Sequence, residues 1–263
     1  MKIFNFNQKL FIPFWLLIWL SFGFTLNANC ANPFLKNKEV VLSGSLEDDN
    51  SKAVMIVLDA SGSMSEPAPS AATKMLMAKN VLEQVLSKID STIPVGLRVY
   101  GSSKLSADPV IACQDSTLLV PPGVGNRRQM VNKLRGIKPT GATPISYSMR
   151  KAVDDLSIVD AKKKSVVLIS DGIETCAYDP CALAQSFKER GVDIQFNVVG
   201  FNVNNDYAAK AQLECIAKST DGKFYTAETS GQLAESVLDG VNYSAPSIDT
   251  VSGQLKELKS KGK

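Results

Sequence analysis

The sequence contains no histidine. That one absence removes Ser-His-Asp and Cys-His nucleophilic catalysis, imidazole general bases and histidine zinc sites. A charge surplus is missing too. Its 29 basic and 26 acidic residues leave a formal +3, too even for the basic patch or stripe of a nucleic-acid binder, so no nucleic-acid partner is expected. There is no internal repeat, no Walker Gly-Lys-Ser/Thr loop and no Asp-x-Asp pair of the kind an aspartyl-phosphate enzyme uses. Chemistry must therefore come from hydroxyls, carboxylates, thiols, amines or a bound cation. What the 263 residues do hold is 44% hydrophobic against 21% charged content. That is ordinary for a globular protein and enough for one large α/β domain plus processing and tail segments.

Lys2 and Lys9 precede an apolar run from Leu10 to Leu26, with the small residues Ala28 and Ala31 beyond it. A basic start, an apolar stretch and small residues describe a secretory signal peptide over residues 1–31, with cleavage after Ala28, Cys30 or Ala31. The run of 17 residues is at the lower edge of what spans a bilayer, so an uncleaved N-terminal anchor is the competing reading. A lipidated Cys30 is a third, set back by Asn27 and Asn29 where such sites carry an aliphatic and a small residue. Export implies a periplasmic or secreted protein, with membrane attachment only through an uncleaved segment or a lipid on Cys30. Loss of Lys2 and Lys9 takes the charge from +3 to +1, which says little about partners. It leaves four cysteines, Cys113, Cys176, Cys181 and Cys215, an even number that in an oxidising compartment favours disulfides.

Residues 32–52 mix charged, Gly, Ser and Asn residues and read as a linker. Strand-like and helix-like segments then alternate. Ala53–Asp59 and Ser165–Gly172 are continuous apolar runs that end in Asp, as buried parallel strands do. Val95–Gly101, Ser116–Gly123 (short, and stopped by two prolines), Asp193–Phe201 and Lys223–Ala227 supply four more strands. Helices are expected around Ala78–Ile89, over Arg127–Leu134 and Pro144–Leu156, from the Asp179-Pro180 cap to about Arg190, and over Asp206–Lys218 and Ser230–Val241. This alternation predicts a doubly wound, mostly parallel six-stranded sheet with helices on both faces and one antiparallel edge strand. Residues 244–263 lack a sustained apolar pattern, carry Lys256, Lys259, Lys261 and Lys263, and read as a disordered basic tail.

In such a sheet ligands bind outside the carboxyl ends of the strands. Three segments place oxygen ligands there: Asp59-Ala60-Ser61-Gly62-Ser63 after the first strand, Gly141-Ala142-Thr143-Pro144 opening a helix, and Ser170-Asp171-Gly172 after the fourth strand. Two carboxylates and three hydroxyls without a soft ligand suit Mg²⁺, and an incoming acidic group could complete its shell. Each residue also has a plainer use: Asp59 and Asp171 as strand ends and helix caps, Ser61 and Ser63 as turn residues, Thr143 as a cap. Their arrival at one edge is the stronger signal. Glu174 reads as an exposed loop acid; Asp108 and Asp115, near the same edge, get no role.

DASGSM, GATPI and SDGIETC, in that order and on those elements, resemble a von Willebrand factor type A (vWA) domain with its metal-ion-dependent adhesion site. The likeness spans roughly Lys52 to Tyr243, setting a domain at residues 53–243, and is nearest to exported bacterial members. The resemblance implies a Rossmann-like fold and a metal set of Asp59, Ser61, Ser63, Thr143 and Asp171 with Mg²⁺ or Mn²⁺ as cofactor. It also implies a non-enzymatic adhesion-type module that grips a carboxylate of a protein partner. The loop Ser65–Ala72 offers no aromatic contact beside the metal. Competing functions are a metal-dependent hydrolase or phosphoryl-transfer enzyme at the same site, and a structural domain with a vestigial site. Four cysteines allow three pairings. A strand order of 3-2-1-4-5-6 ranks Cys113–Cys176, across the metal-bearing edge, with Cys181–Cys215, between neighbouring helices, above the local Cys176–Cys181.

Overall fold

β1 (Lys52–Asp59) shows why the first strand lacks polar alternation: from Ala53 onward every residue in it is buried, with successive side chains entering opposite layers. The computed structural model describes residues 51–102 and 108–243. The expected signal segment, residues 32–50 of the expected linker and the expected tail over 244–263 lie outside the described residues.

The remaining strands are β2 (Val95–Tyr100), β3 (Ser116–Gly123), β4 (Lys163–Ser170), β5 (Gln195–Phe201) and β6 (Phe224–Ala227). Their order is β3-β2-β1-β4-β5-β6. All neighbours are parallel except β2 and β3. This is the expected doubly wound sheet with one antiparallel edge. β3 departs in one respect: Pro121 and Pro122 lie inside it rather than ending it. An edge strand tolerates missing donors, and here the register against β2 shifts twice between Val95 and Arg98.

Seven helices are described: α1 (Lys74–Leu86), α2 (Pro109–Ala112), α3 (Arg127–Gly136), α4 (Ile145–Ser157), α5 (Pro180–Glu189), α6 (Tyr207–Ser219) and α7 (Ser230–Asn242). Val54, Ile56 and Leu58 of β1 join one core layer with Met75, Leu82, Met130, Leu134, Leu233 and Val237, from α1, α3 and α7. Ala53, Met55 and Val57 join the other with Ile145, Met149, Phe187, Leu213 and Ile216, from α4, α5 and α6. The period-2 alternation of one strand is thus what divides the core into two layers.

Helix starts follow local chemistry. Asp179 accepts from the amides of Cys181 and Ala182 to cap α5, with Pro180 at its first position. Asp206 caps α6 through Ala209. Thr229 and Gln232 form a reciprocal capping box on α7. The single-turn α2 was not foreseen; Asp108 caps it through the Val110 amide. Disulfides join Cys113 to Cys176 (Cα–Cα 5.4 Å) and Cys181 to Cys215 (5.5 Å). The first ties the approach to β3 to the loop after β4, and the second staples α5 to α6.

The strand order reverses direction at β1, whose neighbours are β2 and β4. Crevices at such a switch point open at the carboxyl ends of the strands. Asp59 ends β1, and Asp171 directly follows β4.

Candidate metal centre

Three loops meet at that edge because two glycines let their backbones touch. Gly101, with φ +68, follows β2; a Cβ on it would stand 2.6 Å from the Ala142 carbonyl and 2.8 Å from the Ser61 amide. A Cβ on Gly141 would stand 2.9 Å from the Gly101 Cα. Across this contact Gly141 donates to the Gly101 carbonyl at 2.8 Å, and Gly62 donates to the Gly141 carbonyl at 3.0 Å. Ser61 and Gly141 form an isolated parallel bridge. The Thr143 loop is thereby fastened to the Asp59–Ser63 turn, where Gly62–Ser65 makes a short 3₁₀ turn with Met64 buried beneath it.

The side chains form a chain of hydrogen bonds. Asp59 Oδ1 accepts the Ser61 amide at 2.7 Å, and Oδ2 accepts the Ser170 hydroxyl at 2.6 Å and the Tyr100 hydroxyl at 2.8 Å. Ser61 Oγ and Ser63 Oγ are 3.1 Å apart. Ser63 Oγ donates to Asp171 Oδ1 at 2.8 Å, and the Lys74 ammonium donates to Asp171 Oδ2 at 2.8 Å. Thr143 is held by its backbone: its amide donates to Thr175 Oγ1 at 2.8 Å, and its carbonyl accepts the Thr175 and Ile145 amides. Its hydroxyl makes no hydrogen bond among the described residues.

Electrostatics here are those of buried charge. Asp59 is fully buried, and burial first, the Asp171 charge second, push its carboxyl up to about 6 against the hydrogen bonds from Ser170 and Ser61. Tyr100 is raised well above a normal phenol by burial and then by the Asp59 charge, so it stays a neutral donor. Burial opposes the Lys74 charge, but its hydrogen bonds to Asp171 and Glu66 outweigh that and raise it.

Asp59, Ser61, Ser63 and Asp171 therefore lie in one connected group, with Thr143 on the loop bridged to it. The donors are hard oxygens, two charged and three neutral, which fit Mg²⁺ or Mn²⁺ far better than a soft metal. No group of three or more His, Cys, Asp or Glu side chains able to hold a metal occurs among the described residues. A cation here would lean on hydroxyls and solvent as much as on carboxylate.

Glu174 differs from its expectation. It is 9% exposed, accepts the Ser146 amide at 2.7 Å and the Cys176 amide at 3.0 Å, and so anchors the first turn of α4 to the disulfide loop. Lys74 and Tyr100 were missed altogether, and Ser170 was named in its segment without a role of its own. Of the two, Tyr100 left a signal, since a tyrosine at the end of a buried strand needs a partner for its hydroxyl. Beside Thr175 a cavity of about 690 Å³ is lined by Val110, Tyr147, Arg150, Cys176 and Tyr178 among others.

Comparison with known proteins places the domain. The chain is 31% identical over 179 residues to the uncharacterized protein YwmC of Bacillus subtilis, covering 67% of this chain and 77% of that protein. YwmD of the same organism is 28% identical over 187 residues, covering 69% and 81%. An aerotolerance-related membrane protein from Bacteroides fragilis shares the fold at TM-score 0.56 and 20% identity, over 73% of this chain and 99% of that one. The pilus adhesin SpaC from Lactobacillus rhamnosus GG shares it at TM-score 0.58 and 13% identity, over 73% of this chain and 30% of that one. Residues 53–239 match the family model of the von Willebrand factor type A domain, and the chain belongs to that family.

Proposed function

We propose that the protein is an exported, non-enzymatic adhesion-type vWA module that binds an acidic group of a partner protein through a divalent cation, Mg²⁺ or Mn²⁺, held by Asp59, Ser61, Ser63, Thr143 and Asp171. One observation carries the reading: at the switch point of the sheet, two carboxylates and three hydroxyls from three loops come together, the Thr143 loop fastened to the Asp59–Ser63 turn by close backbone contacts at Gly101 and Gly141 and Asp171 joined to that turn through the Ser63 hydroxyl. When bound, the cation would supply a Lewis-acid position to which an outside carboxylate adds as ligand. Asp59 and Asp171 offset the dication's charge. Ser61, Ser63 and Thr143 bring neutral oxygens and so add no negative charge to repel an external anion. The two disulfides support export, because such bonds persist in oxidising compartments. Absence of histidine, and of a phosphate-holding loop in the sequence, disfavours a hydrolase or phosphoryl-transfer reading at the same centre.

The test is an array of short peptides each carrying one Asp or Glu, beside the same peptides carrying Asn or Gln. Retention of acidic peptides in Mg²⁺, reversed by chelator and abolished in Asp171→Asn, is the expected result. Retention indifferent to chelator or to the acid would contradict it, and turnover of a phosphate or carboxyl ester in Mg²⁺ would move the site to the enzyme reading.

A further inference from the structure

Lys74 is placed against its own local interests. It is the first residue of α1, where the helix dipole disfavours a cation, and it is only 6% exposed. Its backbone reinforces the placement, since the Lys74 amide donates to the Glu66 carbonyl at 2.9 Å. Its ammonium is 2.8 Å from Asp171 Oδ2 and 3.0 Å from Glu66 Oε2. The Asp171 side chain is wholly buried, whereas that of Glu66 is 63% exposed. The ammonium thus joins the buried carboxylate of the metal group to a carboxylate that faces solvent.

The charge count changes accordingly. Asp59 and Asp171 alone would neutralise a dication. With Lys74 hydrogen-bonded to one of them, the three buried groups and the cation carry a net +1, which Glu66 offsets only from the solvent side, where its charge is screened and an external carboxylate can take its place. Removing a charge from water is tolerable only when it is paired, and in a buried setting the excess is felt more strongly than at the surface.

Resting on the metal-dependent reading above, we propose that Lys74 is a specificity-determining residue: a fixed ammonium that weakens the hold on the dication and makes the loaded centre select for an anionic partner group, so that cation and acidic ligand bind cooperatively. Asp171 divides its two oxygens between the Ser63 hydroxyl and this ammonium, and full engagement with a dication must compete with the second. An external carboxylate relieves the excess charge, which raises cation affinity. By linkage the cation raises carboxylate affinity by the same factor. Glu66 shows that a solvent-side carboxylate can reach the ammonium.

The experiment measures Mg²⁺ affinity by calorimetry with and without acetate as the anion probe, for wild type, Lys74→Gln and Lys74→Arg. Circular-dichroism melts check the fold of each. The expected result is that acetate tightens Mg²⁺ binding in wild type. Lys74→Gln, which keeps a donor and loses the charge, binds Mg²⁺ about tenfold tighter without acetate and loses most of the acetate effect. Lys74→Arg keeps wild-type behaviour. The role of Lys74 is overturned if folded Lys74→Gln binds Mg²⁺ no tighter and couples to acetate as wild type does. It is overturned equally if acetate leaves wild-type Mg²⁺ affinity unchanged, a result that does not depend on any variant folding. Failure of wild type to bind Mg²⁺ at all would instead overturn the metal-dependent reading beneath it.

Discussion

Asp59 accepts three hydrogen bonds and is still pushed up to about 6, because a fully buried carboxylate beside Asp171 loses more from desolvation and like charge than those donors return. Its folded value lies above its ordinary one. Stability from this group is therefore present at acid pH and lost as pH rises from about 4 through about 6, an effect on the order of 3 kcal/mol. Melts in chelator across that window should fall more steeply for wild type than for Asp59→Asn, and Mg²⁺ should recover the loss above pH 6. Equal slopes in the two proteins would contradict the assignment. Tyr100→Phe should cost about 1–3 kcal/mol by removing a donor from a buried acceptor, a change visible in chemical denaturation. The five proposed metal residues were legible because each sits in a short motif at a strand end or helix start. The roles of Lys74 and Tyr100 were not, since their partners lie 97 and 41 residues away in sequence, and Ser170 was named in its motif without the bond it makes to Asp59, 111 residues away.

At the scale of elements, loops and strands are held by a few close approaches. Gly101→Ala would force a side chain into positive φ and against the Ala142 carbonyl, costing about 1–3 kcal/mol and displacing the Thr143 loop. Its Mg²⁺ affinity should fall even though no proposed ligand is altered; unchanged affinity in a destabilised Gly101→Ala would show that the loop contact does not position Thr143. Away from the centre, Arg98 of β2 donates through Nε and Nη2 to both oxygens of Asp155 on α4, at 2.7 and 3.0 Å, and through Nη1 to the Ser116 carbonyl of β3. Asp155→Ala leaves that buried guanidinium without its carboxylate and should cost about 3–5 kcal/mol in urea unfolding. Long elements were readable from apolar runs and caps. The single turn of α2 was not, because four residues give no periodicity. The passage of β3 through Pro121 and Pro122 depends on its being an edge strand, a property of the assembled sheet rather than of the segment.

The described domain is built on a sheet whose order can be argued from strand–helix alternation and right-handed crossovers, and that order also determines which cysteines meet. Cys113 and Cys176 are 63 residues apart and Cys181 and Cys215 are 34 apart, so each bond constrains a long stretch of unfolded chain. Replacing either pair by serines should cost about 3–4 kcal/mol. Replacing Cys113 and Cys176 should also loosen Mg²⁺ binding, since that bond holds the loop that carries Glu174 and Thr175 under Thr143. The proposed cation site at this edge of the sheet underlies every metal prediction above. Calorimetric titration of Mg²⁺ into wild type and Asp171→Asn, side by side, tests it most directly. Saturable one-site binding in wild type that disappears in the folded variant is the predicted result; equal affinity in the two, or no binding in either, would contradict it.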